Sequence, residues 1–305
     1  KKYAPQARRD FIAAVSQRLN QFGILADNKG QLSISNPVVS GSVMQIEGMS
    51  FDAGLEKARA KLVKRAEQMG FEPLVEQMAY TWFNRLSAIR FMELHGYLDH
   101  NLRVLSPAPS HEPSSRQGLP GSSPQGSETP TPSMASGFRH SPRAPEGMPE
   151  RRTENTLPEI LDHAPDVAAD LGLDRNHIVE LKLAGNQDEA LYRLLLLGQC
   201  HQLHQAMPFL FEALDDETEL LLPDNLTRTD SILRGLVDSI PEADWQNVEI
   251  IGWLYQFYIS EKKDQVIGSV VKSEDIPAAT QLFTPNWIVK YLVQNSVGRQ
   301  WLMTY

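Results

Sequence analysis

The residues best placed for chemistry lie near the carboxyl end, at Phe283-Thr284-Pro285. Threonine as a cap and proline at the first helical position predict a loop turning into a helix. Its free N–H groups and positive dipole end suit a carboxylate or phosphate, with a hydroxyl and an aromatic ring beside it. Thr-Pro also starts many ordinary helices. A second group is Lys57, Lys61, Lys64 and Arg65, which share a sector of about 100° on a helix and could track phosphates. A charge run on an amphipathic helix is more simply its solvated side. Tyr80, Trp82, Phe83 and Phe91 are mixed with Asn84, Arg85 and Arg90, and such a mixture can stack on bases. The helical spacing of Trp82, Leu86 and Ile89 favours core packing instead.

Cys200, His201 and His204 are zinc-ligand types, but no second cysteine exists and a helix would splay neighbours 200 and 201. Asp215, Asp216, Glu217 and Glu219 lack the alternating oxygens and central glycine of a calcium loop and read as a solvated turn. No metal site is expected. The chain contains no Gly-x-Gly-x-x-Gly, no phosphate loop and no Gly-x-Ser-x-Gly, so no catalytic residue is assigned.

These residues sit on elements that are mainly helical. Ala7, Phe11, Val15, Leu19 and Phe22 form a stripe closed by Gly23; Leu55, Ala58, Leu62 and Met69 begin another, which continues through Trp82 and Ile89 to Gly96. Between 28 and 50 short apolar residues alternate with turn residues, as in Gln31 to Ser35 and Ser42 to Ile46, which fits a small β-hairpin. The second arm reads as helices over 157–171, 178–183, 189–206, 209–214, 229–240 and 245–261, with Thr229 or Asp230 capping the fifth and Pro241 ending it. Ser273 to Thr280 reads as a loop. No repeat at solenoid spacing is present.

Residues 106–152 hold 10 of the 20 prolines with 10 serines and 5 glycines, too little apolar material to offset the entropy of ordering them, so a disordered linker is expected. The expected organisation is a helical arm over 1–105, the linker over 106–152, an acidic helical domain over 153–272 and a further element over 273–305. The chain carries 29 basic and 38 acidic residues, a formal charge of −9. The first arm has 14 basic against 10 acidic groups and the stretch from 153 onward 10 against 24, so any nucleic-acid face should lie early. The longest apolar run, Ile250 to Ile259, is too short to span a bilayer, and no apolar segment follows the basic amino end. A single cysteine excludes an internal disulfide, and the cytoplasm is the expected compartment. A start without methionine and a stop inside an apolar stretch suggest part of a longer protein.

Leu282-Phe-Thr-Pro-Asn-Trp-Ile-Val-Lys-Tyr-Leu-Val293 resembles the motif that opens the catalytic domain of amino-adenine DNA methyltransferases. Further separated segments, Tyr80 to Leu86, Asn186 to Arg193, Leu222 to Arg228 and Ile251 to Tyr258, are similar in order to the PglX family of BREX phage-defence systems. The resemblance covers both arms. It implies a site-specific adenine methyltransferase using S-adenosylmethionine on double-stranded DNA, with other BREX proteins as further partners. It also implies that 273–305 begins a Rossmann-like domain and that Phe283, Thr284 and Pro285 border the methionine end of the cofactor. The family joint corresponding to 106–152 is shorter. The family's glycine cofactor motif and Asn-Pro-Pro-Tyr motif are absent, and Asn36-Pro37-Val38-Val39 is no substitute, so this stretch alone should be inactive. The family resemblance raises Lys57, Lys61, Lys64 and Arg65 to candidate DNA contacts. The competing reading is a non-catalytic helical adaptor for DNA or for other defence proteins.

Overall fold

The computed structural model describes residues 1–27, 30–109, 157–208, 211, 216–268, 271, 276–280 and 283–305. Among these the chain is mostly helical. Helix α1 (Tyr3–Gln21) buries Ala4, Ala7, Phe11, Val15 and Leu19, the predicted stripe. Gly23 ends it with φ +68°, and a Cβ there would stand 2.7 Å from Ile46 Cγ2 and 2.9 Å from Ser35 Cβ, so both conformation and close approach require glycine.

The single hairpin expected over 28–50 is instead two small antiparallel sheets. Strand β1 (Ile24–Ala26) pairs with β2 (Leu32–Ile34), while β3 (Val38–Ser40), β4 (Val43–Ile46) and β5 (Met49–Asp52) form a three-stranded meander. The Gly23 turn starts the first pair earlier than the alternation suggested. Met44 and Ile46 face the core, whereas β3 buries none of its residues. The buried Arg59 donates to the carbonyls of Phe22 and Ser35, joining the turn to the next helix.

A 3₁₀ turn (Ala53–Leu55), held by Asp52, leads into α2 (Glu56–Met69). Gly70, with φ +86° and ψ 162°, separates it from α3 (Phe71–His95), which ends at the left-handed Gly96. Trp82, Leu86 and Ile89 are fully buried on α3, the core position their spacing predicted, and Phe83 is buried with them.

The second arm continues with α4 (Glu159–Asp162), α5 (Ala164–Val167), α6 (Arg175–Ala184), α7 (Asp188–Ala206) and α8 (Asp216–Leu220). It then runs through α9 (Ile232–Ser239), α10 (Glu242–Trp245), α11 (Ile250–Tyr258), α12 (Ser260–Val266) and α13 (Ile276–Thr280). Three sequence expectations about these helices are corrected. Ser231, not Thr229 or Asp230, caps α9 by accepting from the Arg234 N–H at 3.1 Å. The helix expected over 245–261 is three pieces, α10, α11 and α12; between the first two, Asn247 takes the Glu249 N–H in a side-chain turn and the chain restarts at Ile250. Ile276 to Thr280, expected as loop, is the short helix α13. The linker expected over 106–152 starts too early: Ser106 is buried and its hydroxyl bonds to Glu93, so the ordered arm runs past that boundary. Residues 110–152, Asp215 and, apart from Phe211, the helix expected over 209–214 lie outside the described residues.

Residues 1–108 and 157–305 form one compact unit, and one apolar core contains residues of both arms. Phe83 of α3 stacks on Tyr258 of α11 with centroids 4.3 Å apart. Further along α3, Arg90 and Glu93 form a buried ion pair. The Glu93 carboxylate accepts from the Arg90 guanidinium, from the Leu105 N–H at 2.7 Å and from the Ser106 hydroxyl at 3.1 Å. Arg90 also reaches Glu242 of α10 at 3.2 Å, and Arg103 binds the same carboxylate at 2.6 Å. Burial pushes the Glu93 carboxyl up, opposed by the Arg90 charge. Desolvation acts the same way on Glu242 but is outweighed by Arg103 and Arg90, which hold it below the usual carboxylate range.

The chain closes with α14 (Asn286–Val293), a π-helical turn (Gln294–Gly298) and α15 (Arg299–Thr304). None of these three elements buries a residue.

Candidate functional site

Phe283, Thr284 and Pro285 lead into α14 without regular secondary structure. The expectation that Thr284 caps the helix is corrected: Pro285 occupies the N-cap position with ψ 140°, and no side-chain hydrogen bond caps the helix. The Ile288 and Val289 N–H groups both donate to the Pro285 carbonyl, at 2.9 and 3.2 Å. The exposed Thr284 hydroxyl therefore stands just outside an α-helical N-terminus that lacks a side-chain cap. A hydroxyl beside backbone donors and a positive dipole end is the chemistry that receives a carboxylate. Phe283 is half-buried, against Gly252 and Tyr255 of α11.

On α2, Ala58, Arg59, Leu62 and Ala66 turn inward, and Lys57, Lys61 and Lys64 are exposed. Arg65 departs from this face. It is partly buried, donates to Gln77 at 3.3 Å and lies 4.0 Å from Glu217, so its charge is shared with α8. The structure thus keeps three lysines of the predicted stripe on an outward face and turns the arginine toward the second arm.

The aromatic and arginine mixture of α3 does not form a stacking surface, because Trp82, Phe83, Arg85 and Arg90 are buried. Cys200 is buried too, and burial pushes its thiol up to about 12. His201 binds Glu219 at 2.6 Å and His204 binds the Phe211 carbonyl at 2.6 Å, so these imidazoles are engaged in local hydrogen bonds. No group of three or more His, Cys, Asp or Glu among the described residues could hold a metal ion. No helix among them is long and apolar enough to cross a membrane.

The separated segments that carry the family resemblance meet in pairs. Glu189 receives the Leu226 N–H at 2.6 Å, the Thr227 N–H at 3.0 Å and the Thr227 hydroxyl at 2.7 Å. Arg193 donates to the carbonyls of Leu222, Pro223 and Glu219, joining the same two segments. Burial, with the nearby Arg18, lowers the Arg193 guanidinium to about 10. Tyr80 lies 5.4 Å from Tyr255 and 6.0 Å from Tyr258, joining the α3 segment to the α11 segment. Phe283 then meets Tyr255 edge-on at 5.8 Å. Sequence reasoning assigned no role to Glu189, Arg193, Gly252 or Tyr255, since the partners of each lie outside its local pattern.

No family model matches the chain. The adenine-specific methyltransferase BrxX of Escherichia coli O9:H4 (strain HS) is 60% identical over 306 residues, covering 100% of this chain and 22% of that protein. The adenine-specific methyltransferase PglX of Lacticaseibacillus casei (strain Zhang) is 34% identical over 328 residues, covering 99% of this chain and 23% of that protein. The chain spans less than a quarter of the length of these curated relatives, and the match lies at their amino-terminal end.

Proposed function

Because the chain belongs, over its whole length, with the amino-terminal part of the PglX family of adenine-specific methyltransferases, we propose that it is the helical portion of a BREX phage-defence enzyme. That enzyme transfers a methyl group from S-adenosylmethionine to the exocyclic N6 of adenine in double-stranded DNA and so marks self DNA. The observation that carries this reading is the 60% identity along the entire chain. The enzyme works in the cytoplasm, with DNA and other BREX proteins as partners.

Within it, residues 273–305 begin the Rossmann-like catalytic domain, and Phe283, Thr284 and Pro285 form one edge of the cofactor site. The fit to the cofactor is chemical: the side-chain-uncapped start of α14 and the exposed Thr284 hydroxyl suit the methionine carboxylate. When bound, S-adenosylmethionine supplies the electrophilic methyl group; this chain's own residues hold and orient its methionine end. Lys57, Lys61 and Lys64 give a sequence-independent phosphate contact, with Arg65 in a lesser share. The 305 residues by themselves do not methylate, because they lack the Asn-Pro-Pro-Tyr loop that would receive a flipped adenine.

The test uses the natural gene product, supplied with S-adenosylmethionine labelled in its methyl group and with unmethylated duplex DNA. Label recovered as N6-methyladenine at one recognition sequence is expected. Duplex binding without any methyl transfer, in the presence of the partner BREX proteins, favours the adaptor reading instead. For the lysine face, changing Lys57, Lys61 and Lys64 to Gln should weaken binding to all duplexes alike and reduce the salt slope by about one unit per lost phosphate contact.

A further inference from the structure

The Phe283 ring lies against Gly252 in a space that exists because residue 252 has no side chain. A Cβ at that position would stand 2.8 Å from Cδ1 and 3.0 Å from Cε1 of the ring, and the first of these is closer than carbon atoms approach without something shifting. The backbone does not ask for glycine here, since Gly252 is inside α11 without a positive φ, where alanine is the better helix former. Close approach is the remaining physical reason for glycine. Tyr255, one turn along the same helix, meets the ring edge-on at 80°. From Tyr255 the contacts run inward through Tyr80 and Tyr258 to Phe83 and then to Phe11 of α1, 5.7 Å from Phe83. Phe283 is the outer end of a row of rings rooted in the core, and Thr284 follows it directly.

We infer that Gly252 and Tyr255 form a socket for Phe283, and that this docking fixes where Thr284 and the start of α14 stand. Phe283 is then a positioning residue for the cofactor edge and not itself a cofactor contact. The inference rests on the cofactor reading above. It narrows that reading, because it divides the three residues into an anchor, Phe283, and the group it holds in place, Thr284.

The experiment is a double-mutant cycle in the natural gene product, using Gly252→Ala, Phe283→Ala and the pair. S-adenosylmethionine affinity is measured by calorimetry, and hydrogen exchange is followed at the Ile288 and Val289 amides. Each single change should weaken the cofactor about tenfold and the pair no more than either, because both break one contact. Exchange at the two amides should quicken in each variant, while duplex binding without cofactor stays as in the wild type. If Gly252→Ala unfolds α11, Phe283→Leu empties part of the socket without crowding it and should shift both readouts in the same direction. Full cofactor affinity in Gly252→Ala, or losses that add in the pair, overturns the inference. Unchanged exchange with intact cofactor binding removes the socket and leaves the function reading standing. A wild type that fails to bind S-adenosylmethionine, with exchange still quickened in both variants, instead sinks the cofactor reading and the positioning role with it.

Discussion

The helical body and the closing helices are built from similar residues and end in opposite states. In the body Trp82, Trp245 and Tyr192 are fully buried; in the last two helices Trp287 is 72% exposed, Trp301 61% and Leu302 81%. Both are helical and rich in apolar residues. Burial needs a second surface, and α3 has α1 and α11 against it whereas no residue of α14 or α15 is buried. The contrast separates what a local pattern can do, which is form a helix, from what only a partner can do, which is bury it.

That contrast can be broken most sharply by equal changes on its two sides. Trp82→Ala should cost about 3–5 kcal/mol in denaturant unfolding of the 305-residue chain, from lost transfer energy and a cavity. Trp301→Ala in the same chain should stay within about 0.5 kcal/mol. Cys200 offers an independent check, since its buried thiol should react with a disulfide reagent only as the body opens, faster in Trp82→Ala and unchanged in Trp301→Ala. Comparable costs for the two tryptophans would remove the distinction.

Within the body, Glu189→Ala should cost about 2 kcal/mol, because it strands two amides and a hydroxyl that a carboxylate now satisfies. A melting midpoint equal to the wild type would show that this joint is not needed. A smaller effect is expected at Glu242. Its folded pKa lies below the unfolded value, so its contribution is present above about pH 4.5 and is lost as pH falls through the folded value. Glu242→Gln should therefore narrow the stability difference between neutral and acid pH, measured by thermal unfolding across that window. An unaltered acid limb would contradict it. The smallest effect concerns the closing helices. Thr284→Ala should leave the melting midpoint of the chain unchanged, since the hydroxyl caps nothing. A clear drop in midpoint would restore the capping role.

The readability of this fold from sequence followed the range of the interactions. The stripe of α1, the core face of α3 and the glycine stops at 23 and 96 could be read because their signals repeat every three or four residues. The single hairpin expected near 28–50 became two sheets because the pairing of Ile24 with Ile34 begins before the alternation does. The break between α10 and α11 depends on one Asn247 turn that carries no periodic signature. At the candidate site the residue types were legible and their partners were not. Lys57 and Lys64 stay outward as the helical sector required, but Arg65 turns toward Glu217, which lies 152 positions further along the chain. The need for a glycine at 252 is invisible until Phe283 is placed beside it.

The network around Glu93 has neighbours that govern a different property. Past Arg90 and Glu93, the Ser106 carbonyl accepts the Glu159 N–H at 3.0 Å, the Arg103 carbonyl accepts the Ile160 N–H at 3.0 Å, and the Arg103 N–H donates to Glu159 at 2.9 Å. The two strands of chain on either side of residues 110–156 are thus tied together at their base. Such a tie at the base makes the body insensitive to the length of chain between its two ends, because each doubling of that length adds only about 0.6 kcal/mol of closure entropy. Peptide added or removed between Pro109 and Leu157, a reporter or affinity handle included, should therefore leave the melting midpoint of the body that holds Gly252 and Phe283 unchanged.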